Sequence, residues 1–109
     1  MRLRRRGPLD EVVERQLALF AEDDADVLHE ADEAESRWNA AGRDTAEEAY
    51  GDYQLVVDAI ADRLLEIREA YAATLDEVTS DEYRRAFAAG AAHRFRRYAS
   101  LVADLEEDS

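Results

Sequence analysis

Ten positions constrain this chain more than any others. Ala46, Tyr50, Tyr53, Val57, Ile60, Leu64, Ile67, Tyr71, Thr74 and Val78 follow one another at steps of four and three residues, and all but Thr74 are apolar or aromatic. Such steps return each side chain to the same side of an α-helix, so the run predicts one helix from about Thr45 to Val78. Val56, Leu65 and Leu75 widen the stripe, as a helix touching two neighbours requires. Gly51 lies inside the run, where glycine costs about 1 kcal/mol relative to alanine. The rhythm keeps its phase across it, so the helix is expected to continue.

A second rhythm precedes this one. Val13, Leu17, Phe20, Val27, Ala31, Ala34 and Trp38 recur at helical steps and predict a helix from about Leu9 to Trp38. Pro8 suits a first helical position, because its missing N–H would have no helical partner there. Asp24 takes one slot of the apolar series, inside the run Glu22-Asp23-Asp24-Ala25-Asp26, so packing should weaken there and the helix can bend. Asn39-Ala40-Ala41-Gly42 reads as the stop, with Gly42 available for a left-handed closing residue. Asp44 with Glu47, or Thr45 with Glu48, then has the spacing of a capping box.

Thr79 with Glu82 repeats that capping signature. A third helix is expected from there to about Glu106, with Tyr83, Phe87, Ala91, Phe95, Tyr98, Val102 and Leu105 on its apolar face and Gly90 beside it. One proline and four glycines leave too few turn residues for a β-protein among 109 residues. Similar helix lengths joined by short connections predict an all-α fold, an antiparallel three-helix bundle with long helices, open to completion by self-association. Residues 1–8 read as a flexible basic arm and residues 9–107 as a single domain.

The charge narrows the partners. The formal net charge is −13, and all 14 basic residues are arginine. A surface this negative repels phosphate, which argues against nucleic acid and against anionic membranes. No apolar run approaches the roughly 20 residues that span a bilayer. Arg2, Arg4, Arg5 and Arg6 are followed by Pro8 and acids rather than the apolar core of a signal peptide, so a cytoplasmic location is expected. There is no cysteine, which excludes disulfides and thiolate zinc sites.

The distribution of charge is uneven. Eight of the 14 residues from Glu22 to Glu35 are acidic, whereas Arg84 to Ala103 contains no acid. In the expected bundle the outer helices run parallel, so these segments can serve as complementary faces. Alternatively Arg84, Arg85, Arg94, Arg96 and Arg97 form a docking patch for an acidic partner or a second copy of the chain.

Two stretches carry a resemblance. Glu30 and Glu33 form a Glu-x-x-Glu pair, and Glu48 and Asp52 follow after the turn. Acids three or four apart share a helix face, and two such pairs can hold Mg²⁺ through carboxylate oxygens. The arrangement resembles in part the all-α nucleoside triphosphate pyrophosphohydrolases of the MazG type, although Glu48 to Asp52 is one residue longer than that family's Glu-x-x-Asp. The resemblance implies a metal site at Glu30, Glu33, Glu48 and Asp52 and a Mg²⁺-dependent enzyme. Trp38 near a helix–helix turn, in a chain of about this length, is similar to the small secreted helical hairpins of the WXG type, with Trp38-Asn39-Ala40-Ala41-Gly42 where that family has Trp-x-Gly.

Other chemistry is sparse. Asp26 and His29 have a spacing used in di-iron bundles, but His93 has no acid three or four residues away in its helix. No glycine-rich phosphate loop and no Ser–His–Asp triad is evident. The favoured expectation is a non-enzymatic helical protein that works by binding another protein or a second copy of itself, with no cofactor. The pyrophosphohydrolase, with Mg²⁺, is the first alternative and the WXG-like secreted protein the second.

Overall fold

The computed structural model describes residues 7–96 and residue 98. All the regular structure within them is helical: α1 (Pro8–Asp23), α2 (Ala25–Ala40), α3 (Ala46–Ala72) and α4 (Glu77–Arg94). The fold is therefore all-α, but the described residues form four helices rather than three.

The extra helix comes from Asp24. Asp24 leaves the helical conformation (φ −110°, ψ 30°), closing α1 and opening α2. Its N–H still donates to the Phe20 carbonyl at 2.8 Å, and its own carbonyl accepts from Val27 at 3.1 Å. The apolar series puts this residue on the core side, where a carboxylate would lose its water. The break leaves Asp24 half-buried, with its carboxylate 3.6 Å from Arg63 Nε of α3. The bend expected there is a full interruption, and it changes partners: α1 packs chiefly on α4, and α2 on α3.

The later boundaries also differ from expectation. Helix α2 ends at Ala40 with Ala41 extended, and no glycine among the described residues has a positive φ, so Gly42 is not a left-handed cap. Thr45 precedes α3 without a side-chain cap, and its hydroxyl donates instead to the Gly42 carbonyl at 3.5 Å. Helix α3 runs through Gly51 unbroken and stops at Ala72, short of Val78. Thr74 Oγ1 donates to the Tyr71 carbonyl at 2.7 Å, the local bonding by which threonine competes with helix continuation. Asp76 then caps α4, its Oδ1 accepting from the Thr79 N–H and its Oδ2 from the Thr79 hydroxyl, both at 2.9 Å. Those two bonds hold the Asp76 carboxyl below its ordinary pKa. The cap is thus three residues upstream of the expected Thr79, and Val78 falls in the first turn of α4, 70% exposed.

At the N-terminus, Pro8 is the first residue of α1 and the extended Gly7 is its N-cap. The Arg2–Arg6 cluster and the expected end of the last helix, from residue 99 to Glu106, lie outside the described residues.

One core joins the four helices. Val13, Leu17 and Phe20 of α1, Ala31 and Ala34 of α2, Tyr53, Val57, Ile60, Ala61 and Leu64 of α3, and Tyr83, Phe87 and Ala91 of α4 are buried in a single cluster. Phe95 and Tyr98 close it beyond α4. Helices α1 and α4 run parallel: Gly90 lies against Val13 and Leu17, and further along both helices Phe20 meets Phe95 edge-on at 5.9 Å. No helix among the described residues is long and apolar enough to cross a membrane.

Candidate protein-binding groove

A groove with a volume of about 580 Å³ lies between α1 and α4. Its geometry begins with Gly90. A Cβ built there would stand 2.8 Å from Val13 Cγ1 and 3.3 Å from Leu17 Cδ1, so only glycine lets the two helices approach this closely. Ala86, one turn before, and Ala89, next in sequence, are also small, and with Gly90 they form a shallow floor beside Val13 and Leu17. Ala89 is exposed.

The two walls carry opposite charge. Asp10 and Glu14 line the α1 side, and His93 and Arg94 line the α4 side. The Asp10 carboxylate also caps its helix, Oδ2 accepting from the Gly7 N–H at 3.1 Å. The groove is partly open to solvent.

A polar network ties together the elements behind this groove. Tyr83 is fully buried on α4, and its hydroxyl donates to Gln16 Oε1 of α1 at 2.7 Å. Burial pushes the Tyr83 hydroxyl pKa up to about 12. Its ring packs on Tyr71 of α3 at 4.8 Å and on Phe87 at 5.9 Å. Glu69 Oε2 accepts from Arg84 Nε at 3.0 Å and Oε1 accepts from Arg84 Nη2 at 3.1 Å. Arg68 Nε, on a side chain only 3% exposed, donates to Glu69 Oε2 at 2.9 Å. The Arg84 bonds above all, and then Arg68, hold the Glu69 carboxyl below its ordinary pKa.

The predicted arginine patch is thereby divided. Arg84 is committed to α3 of its own chain, where it also lies 3.7 Å from Asp81. Arg94 is exposed and lines the groove; Arg85 and Arg96 are exposed outside it; Arg97 lies outside the described residues.

The four carboxylates of the metal alternative are not gathered. Glu48 and Asp52 line a smaller cleft of about 210 Å³ between α2 and α3, together with Arg37, Ala41, Thr45 and Ala49. Glu33 faces His29 Nε2 at 2.8 Å and Arg37 Nη1 at 4.0 Å, and Glu30 is exposed on α2. A guanidinium thus shares the cleft with Glu48 and Asp52. Among the described residues no three His, Asp or Glu side chains are placed to hold a metal ion. His29 pairs with Glu33 rather than with Asp26. Trp38 stacks on Tyr53 at 5.4 Å and meets Tyr50 edge-on at 4.8 Å, which fastens α2 to α3.

Sequence reasoning missed the acidic wall of the groove, Asp10 and Glu14, and the buried Arg68. Gly90 beside an aromatic stripe was the available signal for the groove. Arg68 stands four residues after Leu64 and so falls on the stripe's edge; its charge concealed that position.

No family model, curated protein or solved structure matches this chain.

Proposed function

We propose that this chain is a small acidic helical protein that acts by binding another protein, and that the α1–α4 groove is its binding face. The observation that carries the reading is the groove itself: a small-residue floor at Ala86, Ala89 and Gly90 between walls of opposite charge. The α1 side of the groove runs from Asp10 to Leu17, which at about 1.5 Å per residue makes a side wall of roughly 12 Å. A groove between two parallel helices suits helix-in-groove recognition, in which a partner lays an apolar face along the floor and its charges on the rims. Small floor residues favour such a partner, since they let its backbone come close. The arginines retained from the sequence reading are those that remain exposed, and Arg94 is the one on the rim.

The test is affinity capture from the native host with the wild-type chain and with Ala89→Arg, which fills the floor at an exposed helical position. A partner retained by wild type and lost by Ala89→Arg supports the proposal. Identical capture by both, or none by either, refutes it.

A further inference from the structure

We propose that the occupant of the α1–α4 groove is an acidic amphipathic helix of another protein, seated with its carboxylates along the α4 rim. The inference rests on the groove being the binding face and adds the chemistry of the partner. It follows from which charges at the groove are already engaged and which are not.

On the α1 side, Asp10 and Glu14 already have interaction partners, Asp10 in part as the acceptor of the Gly7 N–H. The α4 side differs. Among the described residues no carboxylate pairs with Arg85, His93, Arg94 or Arg96, whereas Arg63 and Arg84, on other faces of the bundle, each find one. The charge left available at the groove is therefore basic. It is also ordered. Arg85, Ala89 and His93 follow one another at steps of four and so share one exposed face of α4. Arg94 adjoins His93 in the groove wall, and Arg96 follows just past the end of the helix.

The floor permits the approach. Ala89 in the middle of this row, and Ala86 and Gly90 beside it, project little, so a partner backbone can come close while longer side chains reach the basic groups at either end. From Arg85 to Arg94 the row spans about 14 Å at about 1.5 Å per residue, roughly two and a half turns of a partner helix. Acids at three- and four-residue steps along one flank of such a helix recur at the same pitch, and a guanidinium takes a carboxylate in a planar, paired fork. A long polyanion such as nucleic acid fits less well, because the same face of α4 continues from Arg85 back to the exposed Glu82. The net charge of −13 opposes any anion at long range, but at physiological ionic strength repulsion beyond about 8 Å is largely screened. A short segment in contact with the row alone therefore feels chiefly the arginines.

The test uses a synthetic alanine-based helical peptide of about 15 residues, with leucine along one face and glutamate at three- and four-residue steps along its flank. It carries a fluorophore and is titrated with the full purified chain, with anisotropy as the readout. Saturable binding is expected, about tenfold or more tighter than that of the same peptide with glutamine in place of glutamate. Arg85→Glu and Arg94→Glu should each weaken it by about tenfold or more, with the circular dichroism of the chain intact. Their effect should shrink as salt rises. Ala89→Arg adds a positive charge but fills the floor, so it should weaken binding as well. Tighter binding to Ala89→Arg would mean attraction without seating in the groove, and overturns the proposal. So does a glutamate peptide that fails to bind, or one indifferent to both reversals. If one reversal loses its helicity, the other decides. A glutamine peptide that binds as tightly, with both peptides lost on Ala89→Arg, would remove the acidic partner while leaving the groove as the binding face. An oligothymidylate of similar length that binds more tightly than the glutamate peptide would give the row to nucleic acid and overturn the proposal.

Discussion

The α2–α3 hairpin and the α1–α4 pair are built on different terms. The hairpin joins neighbours in sequence through residues 41–45. Helix α2 contributes only small buried residues, Ala31 and Ala34, and the aromatic contacts of Trp38 with Tyr50 and Tyr53 lock its end. Its contacts are local, so closing it carries a small loop-entropy cost. The α1–α4 pair joins segments separated by two other helices. It buries larger side chains, Val13, Leu17 and Phe20 against Tyr83, Phe87 and Phe95, and it depends on one backbone position, Gly90, for its spacing. The local pair is specified by rhythm and loop; the distant pair is specified by shape. The pair specified by shape is also the one that leaves a groove.

Deleting an aromatic ring from the distant pair should have the largest effect. Phe87 is completely buried, and Phe87→Ala should cost about 3–5 kcal/mol, measured by urea unfolding. Native-state hydrogen exchange should show α1 and α4 losing protection before α3 does. Leu64→Ala, equally buried on the hairpin side, should cost about 2–5 kcal/mol and weaken α2 and α3 first. If both variants reduce protection uniformly, the two regions form one cooperative unit and the distinction fails.

A pair of glycine replacements sharpens the comparison. Gly90→Leu forces a side chain against Val13, which is buried and stiff at χ1, and should destabilise by about 1–3 kcal/mol by overpacking. Gly51 has nothing within 4 Å of an added Cβ, so Gly51→Ala should stabilise by up to about 1 kcal/mol through helix propensity alone. Thermal melts of the two variants should shift in opposite directions. A gain at both positions would mean that α1 and α4 are free to separate.

The smallest effect concerns the link between the regions. Arg84→Gln removes the paired bonds from α4 to Glu69 on α3. Both side chains are partly exposed, so the loss should be under about 1 kcal/mol. Arg84 lowers the Glu69 pKa in the folded state. Its stabilisation is therefore present above the ordinary carboxylate range and is lost as pH falls through the folded value. The stability gap between wild type and Arg84→Gln should accordingly close in acid. A gap that persisted there would show Arg84 acting through packing of its stem rather than through charge.

Individual residues mark where the sequence was legible. Ile60, Leu64, Tyr83 and Phe87 were placed in the core by spacing alone, and all four are fully buried. Gly51 was expected inside an unbroken helix, and α3 runs through it; Gly90 was placed only beside the apolar face, and the structure adds that a Cβ there would meet Val13. Val78 kept the rhythm but lost the core, because Thr74 and Asp76 bond to nearby backbone and end α3 first. The MazG-type carboxylates had suggestive spacing, yet spacing within a helix does not decide what faces it from the next one. Of the groove, the sequence offered Gly90 and Arg94 but gave no reason to join them to Asp10 and Glu14, which lie some 80 residues earlier.

What the sequence determined by itself is the all-helical character, most of the apolar stripes and the uneven distribution of charge, since these follow from periodicity and composition acting over a few residues. What only the tertiary structure decided is which helices pair. Asp24 alone gave an ambiguous signal: a carboxylate in an apolar slot can bend a helix, snorkel or break it. The chain breaks there, with the Asp24 carboxylate 3.6 Å from Arg63 of α3, and α1 packs on α4 while α2 packs on α3. Helix partnership is set by side chains distant in sequence meeting in space, and local periodicity carries no record of them.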